Sequence, residues 1–109
     1  MLAFPNAKIN IGLHITGKRP DGYHNLETVF YPVKWRDVVE LIDVPAGTDS
    51  FCVTKGIDIP GNIADNLCIK AFRLLKKDFD LPDQQIVLLK NISVGAGLGG
   101  GSADAAFLI

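Results

Sequence analysis

Three groups of residues have the types and spacing to do chemistry. The first is GAGLGGGS, residues 95–102, where five of the seven positions from 95 to 101 are glycine. Glycine lets successive backbone N–H groups converge without Cβ obstruction. A helix start after such a loop adds partial positive charge, roughly half an elementary charge. Together they suit an anion, above all a phosphate chain. Each ordered glycine costs about 0.5–1 kcal/mol relative to alanine, more than a bare connector needs to spend five times. The second group is Lys8 and Asn10 in KINIGLHI. On a strand they share a face about 7 Å apart. An ammonium on a rigid strand can stabilise charge developing on an acceptor oxygen. The third is Tyr23 and His24, after the turn GKRPDG. Tyr23 offers a ring that can stack and His24 an edge that can hydrogen-bond, although such a pair after a turn reads on its own as surface packing.

The loop matches two familiar phosphate motifs imperfectly. Gly95, Gly97 and Gly100 satisfy G-x-G-x-x-G between a strand and a helix, a weak dinucleotide signal. The antiparallel opening of the chain argues against that fold. Residues 95–102 also approach G-x-x-x-x-G-K-S, but Gly101 stands at the lysine position. Only the general reading survives, a glycine-built phosphate site. Ser102 is expected to cap the following helix, its hydroxyl free to meet phosphate or Mg²⁺. Asp104 is expected only to complement the helix dipole.

The elements that must position these groups follow from periodicity. Residues 8–15 alternate, with Ile9, Ile11, Leu13 and Ile15 expected on one face of a half-buried strand and Lys8, Asn10 and His14 on the other. Pro20 and Asp21-Gly22 turn the chain, so residues 8–33 read as an antiparallel hairpin. DVVELIDV (37–44) and FCVT (51–54) are further strands. From Asp65 to Phe79 the period changes. Leu67, Ala71, Leu74, Leu75 and Phe79 form one helical face, Asp65 or Asn66 caps it, and Lys76 and Lys77 suit its end. QQIVLLK (84–90) is a strand, the glycine loop follows, and a helix opens at Ser102. The fold class is α+β, a mostly antiparallel sheet packed with helices.

With 109 residues, the chain is one domain at most, spanning 1–109. A net charge of −1 gives no electrostatic case for nucleic acid or a membrane surface. No apolar run reaches the length of a membrane span, and the N-terminus lacks a signal-peptide pattern. Cys52 and Cys68 have no metal spacing and read as free thiols of a cytoplasmic protein.

Three stretches together resemble one family: AKINIGLHITGKRPDGYHNLETVF, Asp65–Leu67, and GAGLGGGSADAA. They are similar to the 4-diphosphocytidyl-2-C-methyl-D-erythritol kinases of the GHMP small-molecule kinase superfamily. The glycine loop marks the superfamily; the K-x-N strand joined to DGYH marks the narrower family. The resemblance implies ATP-dependent phosphorylation, with Mg²⁺, of a hydroxyl on cytidine-diphosphate-linked methylerythritol, in the non-mevalonate route to isoprenoids. By the same resemblance Gly95, Ala96, Gly97, Leu98, Gly99, Gly100, Gly101 and Ser102 wrap the ATP phosphates. Asn66 and Leu67 match positions near adenine, and Lys90 another nucleotide-site position. Lys8 is the catalytic residue, with Asn10 beside it. Tyr23 and His24 match a cytosine-binding pair, and Phe30 an apolar substrate position. Alone, Lys8 reads as a solvated strand lysine, a reading the resemblance reverses, and Asn66 as a helix cap. Ser93 stands where the family commonly has proline, and Ala103 where a second serine is common. The family's catalytic aspartate and second domain have no counterpart here, so the chain is expected to be an N-terminal domain incomplete at its C-terminus and inactive alone. The rival readings are another GHMP kinase, a non-catalytic phosphate-binding module and, more distantly, a dinucleotide-binding oxidoreductase.

Overall fold

The computed structural model describes all of residues 1–109. Two sheets form. Strands β1 (Leu2–Ala3), β4 (Val38–Asp43), β6 (Gln84–Lys90) and β5 (Phe51–Gly56) make a four-stranded sheet in that order. Strands β2 (Asn6–Lys18) and β3 (His24–Arg36) pair as a separate antiparallel hairpin. Helices α1 (Leu67–Asp78) and α2 (Gly100–Ala106) complete the fold, with a short 3₁₀ turn at Ile63–Asp65.

The α+β layout holds. All pairings are antiparallel except β5 with β6. That parallel pair requires a crossover, and α1 supplies it. Along β6 the alternation is strict where it matters: Ile86, Leu88 and Lys90 are buried. Ile86 and Leu88 meet Val39, Cys68, Ile69, Phe72 and Leu108 in one core.

Helix α1 starts where Asn66 Oδ1 accepts the Cys68 N–H at 2.9 Å. Lys76 and Lys77 lie in its last turn. Its buried face is one residue round from the face expected. Cys68, Ile69 and Phe72 are buried, whereas Leu67, Leu74 and Phe79 are 49%, 60% and 60% exposed. Two neighbouring stripes of this helix are apolar, so a period of 3.6 could not choose between them. The stripe carrying Ile69 and Phe72 fills the space over Ile86 and Leu88.

The hairpin corrects a second expectation. Ile9, Ile11, Leu13 and Ile15 do not line a buried face; all four are between 42% and 59% exposed. Nor do they share one face. Asn10 pairs with Phe30 and Ile11 with Val29, but Leu13 pairs with Thr28 and Ile15 with Leu26. An extra residue in β2, at Gly12 with φ +67°, shifts the register. Directly opposed residues share a face. Lys8, Asn10, Leu13 and Ile15 therefore lie with Phe30, and His14 crosses to the face of Ile9 and Ile11. A bulge of this kind re-aims every later side chain of its strand.

Where β5 leaves the sheet, Gly56 has φ +81° and the Ile57 N–H donates to Lys90 O at 2.8 Å. A Cβ on Gly56 would lie 2.2 Å from that carbonyl oxygen. Gly56→Ala combines a left-handed backbone with a backbone collision. We expect it to cost about 2–4 kcal/mol, read by urea denaturation. A loss below 0.5 kcal/mol, as for an ordinary surface change, would contradict the packing described.

Candidate functional site

The glycine loop lies between β6 and α2, and Lys8 clamps it from the hairpin. The Lys8 N–H donates to Leu98 O at 2.9 Å, and the Lys8 ammonium donates to Gly97 O at 2.7 Å. The same ammonium donates to Asn10 Oδ1 at 3.1 Å and sits 5.1 Å from the centre of the Phe30 ring. The carbonyl of Gly99 accepts the Ala103 N–H at 3.0 Å. Three successive carbonyls of the loop are thus tied down. By contrast, the N–H groups of residues 95–102 find no acceptor in the chain. Gly95, Gly97 and Gly99 have φ of +73°, +73° and +71°, alternating with ordinary residues. Such alternation gathers N–H groups into an anion-binding concavity.

A cleft of about 490 Å³ opens against this loop. Asn62, Ile63, Asn66 and Leu67 line its far wall, and Lys90, Asp104 and the glycines line the near one. That volume is in the range of small-molecule sites. Of the residues singled out from sequence, Asn66, Leu67, Lys90, Gly95, Gly97, Leu98, Gly99, Gly100, Gly101 and Ser102 meet here. Lys8, Asn10 and Phe30 gather at the edge of the loop. Tyr23 and His24 lie at the hairpin's far end, where His24 pairs with Lys18. About 30 Å of extended strand separates them from Lys8.

Helix α2 begins at Gly100, not Ser102, and its N-cap is Gly99, with no side-chain cap. Ser102 is therefore not the cap; it sits in the first turn. A left-handed glycine closes the helix start where a serine was expected because the loop arrives with positive φ. The Ser102 side chain is exposed on the cleft.

Beneath the loop lies a buried ionic cluster. The Lys90 ammonium donates to Asp37 Oδ2 at 2.5 Å and to Asp104 Oδ2 at 2.9 Å. All three side chains are at most 2% exposed. Asp37 Oδ1 also accepts the N–H groups of Asn91 and Ile92, at 2.5 and 2.8 Å. Asp104 Oδ1 is buried without a partner. Asp104 is thus a buried ion-pair member in the second turn of α2, correcting the expectation of a simple dipole complement. Burial opposes ionisation of Asp37, but the bonds from Lys90, Ile92 and Asn91 outweigh it and hold its carboxyl below the usual range. Burial likewise works against the Lys90 charge, yet its two carboxylates raise it above its ordinary value. For Asp104 burial wins, pushing it up to about 6 despite Lys90.

Nothing local in the sequence marks Asp37 as more than a strand start. A signal existed for its partner: Lys90 is in phase with Ile86 and Leu88, on the buried face of β6. A lysine there needs carboxylates nearby.

The raised value of Asp104 sets a pH dependence. Its folded pKa, about 6, exceeds its unfolded value of 3.8. The folded state therefore binds the extra proton, and stability falls as pH rises between those values. Above about pH 7 the penalty is complete, about 2–3 kcal/mol. Asp37 shifts the other way and matters only at lower pH. We expect a higher melting temperature at pH 5 than at pH 7.5, and a flattened difference in Asp104→Asn. A melting temperature that rises from pH 5 to pH 7.5 would oppose this assignment.

The loop and the fold around it are similar to those of one class of small-molecule phosphotransferases, the GHMP kinases, in their N-terminal domain. Residues 66–109 match the family profile described as GHMP kinases N terminal domain. Within that family, the chain is similar to 4-diphosphocytidyl-2-C-methyl-D-erythritol kinases. It is 55% identical to that of Cytophaga hutchinsonii over 107 residues, covering 98% of this chain and 38% of the relative. With that of Bacteroides thetaiotaomicron it shares 56% over 110 residues, covering 100% and 40%. The crystal structure of a 4-(cytidine 5'-diphospho)-2C-methyl-D-erythritol kinase superposes with a TM-score of 0.77 at 35% identity, over 99% of this chain and 38% of that one. The chain thus spans about two fifths of the length of these relatives.

Proposed function

We propose that residues 1–109 form the nucleotide-binding domain of a kinase that transfers the γ-phosphoryl group of ATP to a hydroxyl of 4-diphosphocytidyl-2-C-methyl-D-erythritol. The observation that carries this is the division of labour in residues 95–102. Carbonyls of the loop are tied down, two of them by Lys8, while its N–H groups are left without acceptors beside the cleft. A triphosphate supplies those acceptors. Asn66 and Leu67 then face the nucleoside end of the cleft, and the Ser102 hydroxyl reaches the phosphates. Mg²⁺ would accompany those phosphates and neutralise part of their charge, and the Ser102 hydroxyl is the side chain that would hold it.

The acceptor hydroxyl attacks γ-phosphorus as the bond to the ADP oxygen breaks. Such transfer depends on positioning and charge neutralisation more than on covalent help from the protein. Lys8 is placed for both, since one ammonium touches the loop and the Asn10–Phe30 face. It makes no ion pair with any carboxylate of this chain. We therefore assign proton removal from the hydroxyl to a group outside these 109 residues, and expect them alone to turn over no substrate. Tyr23 and His24, at the hairpin's far end, are assigned to the cytosine of the acceptor.

The test uses the protein at its full encoded length. ADP release and ³¹P spectra should show transfer to the cytidine-diphosphate-linked alcohol, with kcat/KM about 10⁴-fold above that for mevalonate or homoserine. Comparable turnover of either simple alcohol would favour another GHMP specificity. Nucleotide binding with no transfer to any acceptor would favour a non-catalytic module.

A further inference from the structure

The Asp37–Lys90–Asp104 cluster has no place in the transfer as described, yet it touches every segment that leads into or out of the glycine loop. Lys90 ends β6. Asn91 and Ile92, the next two residues, donate their N–H groups to Asp37. Asp104 belongs to α2, the element the loop enters. Gly100, the first residue of that helix, rests directly on the ammonium: a Cβ there would lie 2.8 Å from Lys90 Nζ and 3.0 Å from Ile92 Cγ2. On the other side, a Cβ at Gly99 would lie 3.0 Å from Lys8 Cε. The loop is thus held between two lysines. Lys8 grips its carbonyls from above, and Lys90 supports its exit from below.

The two lysines differ in what they can offer a ligand. Lys8 is partly exposed. Lys90 is 2% exposed, and its ammonium is already bonded to two carboxylates. The cluster's formal charge, two carboxylates against one ammonium, is negative. A negative cluster does not attract a phosphate chain. Its contribution must be mechanical.

We propose that Asp104 is a positioning residue for the phosphate loop: by accepting from Lys90 it ties α2 to the end of β6 and fixes the Gly99–Gly100 junction, without itself touching nucleotide. The proposal rests on the nucleotide-binding reading above, and it predicts behaviour visible without any nucleotide. The interaction needed is the hydrogen bond to Lys90, not the negative charge. Asparagine keeps an acceptor oxygen at that place; alanine does not.

The experiment compares Asp104→Ala, Asp104→Asn and the wild type at full encoded length. Hydrogen–deuterium exchange is measured first in the absence of nucleotide. Peptides covering residues 99–107, where the bonded Ala103 and Phe107 N–H groups hold the loop's exit, should exchange about tenfold faster in Asp104→Ala, while those covering β4 and β5 stay unchanged, because the tether lies outside both strands. In Asp104→Asn the loop's exit should return to within twofold of wild type. The dissociation constant of N-methylanthraniloyl-ATP should follow the same order, about tenfold weaker in Asp104→Ala and near wild type in Asp104→Asn. If Asp104→Ala does not fold, Gly100→Ala attacks the same junction from the loop side. Its Cβ must displace the Lys90 ammonium, and the same loosening is expected. Unchanged exchange at the loop's exit in a folded Asp104→Ala or Gly100→Ala protein would overturn the proposal. So would an Asp104→Asn protein as loose as Asp104→Ala, since the charge would then be the operative feature. A wild type that binds no nucleotide would remove the functional reading, and the exchange measurements would still decide the tether.

Discussion

Lys8→Met is expected to lower kcat for phosphoryl transfer about 10²–10³-fold, the loss typical when one charged donor is removed from a developing oxyanion. Methionine keeps an unbranched stem in contact with the loop, where the Lys8 side chain packs against Gly99. What disappears is the ammonium, with its bonds to Gly97 O and Asn10 Oδ1 and its place beside the Phe30 ring. Two consequences separate. The loop loses one of its ties but retains the backbone bond from the Lys8 N–H to Leu98 O. The KM for ATP should therefore rise only a few-fold. The reacting end loses its positive charge outright, and that loss falls on kcat. Lys8→Arg keeps the charge but not the compact ammonium geometry, and should recover part of kcat. Steady-state kinetics with both substrates varied distinguishes the two parameters. A kcat within threefold of wild type in Lys8→Met would remove Lys8 from the reaction and leave it a loop clamp. Circular dichroism should be unchanged, because Lys8 makes no buried ion pair.

Much of this arrangement could be read from the residues. The hairpin, the crossover helix with its Asn66 cap and the strand before the glycine loop each follow from a local period or a local turn. The failures share a cause: they depend on what an element packs against. The spacing of Leu67 and Leu74 is helical and predicts an inward face on α1, yet the neighbouring stripe with Ile69 and Phe72 faces the sheet. Leu13 and Ile15 changed faces because one bulge at Gly12 reverses a strand's alternation, and a glycine inside an apolar pattern was the only hint of it. Ser102 lost the cap position because the backbone enters α2 through a left-handed glycine. The loop itself, a run of positive-φ glycines with free N–H groups, was legible from composition alone. Its fastening was not. Lys8 meets Gly97 across 89 residues of sequence, and Asp37 meets Lys90 across 53. Contacts at such range leave no periodic trace.

Lys90→Met carries the largest expected effect on stability. Methionine fills much of the same volume, so little is lost in packing. The carboxylates are the problem. Asp37 and Asp104 are 0% and 1% exposed and would face each other with no cation between them. Removing one partner of a buried ionic group costs about 3–5 kcal/mol because a charge is left unpaired. Against a total stability of about 5–15 kcal/mol, that is enough to leave a marginal protein largely unfolded at 37 °C. The sign of the pH response tests the cause. Without Lys90, both carboxyls lose the bond that opposes their burial, so both folded-state values move upward. The shift takes Asp104 further above its unfolded value and brings Asp37 up from its lowered one, so stability falls more as pH rises through the interval between unfolded and folded values. Urea denaturation at pH 5 and pH 7.5 should show the variant recovering toward pH 5 more steeply than the wild type, where Asp104 alone behaves this way. Combining Lys90→Met with Asp104→Leu removes one of the stranded charges and leaves Asp37 with its two backbone donors, Asn91 and Ile92. The double variant should be more stable than Lys90→Met alone, although it carries one more substitution. A double variant less stable than the single one would mean that Asp104 contributes packing rather than uncompensated charge. A loss under about 1 kcal/mol in Lys90→Met would mean that the cluster is open to water and holds neither the fold nor the loop.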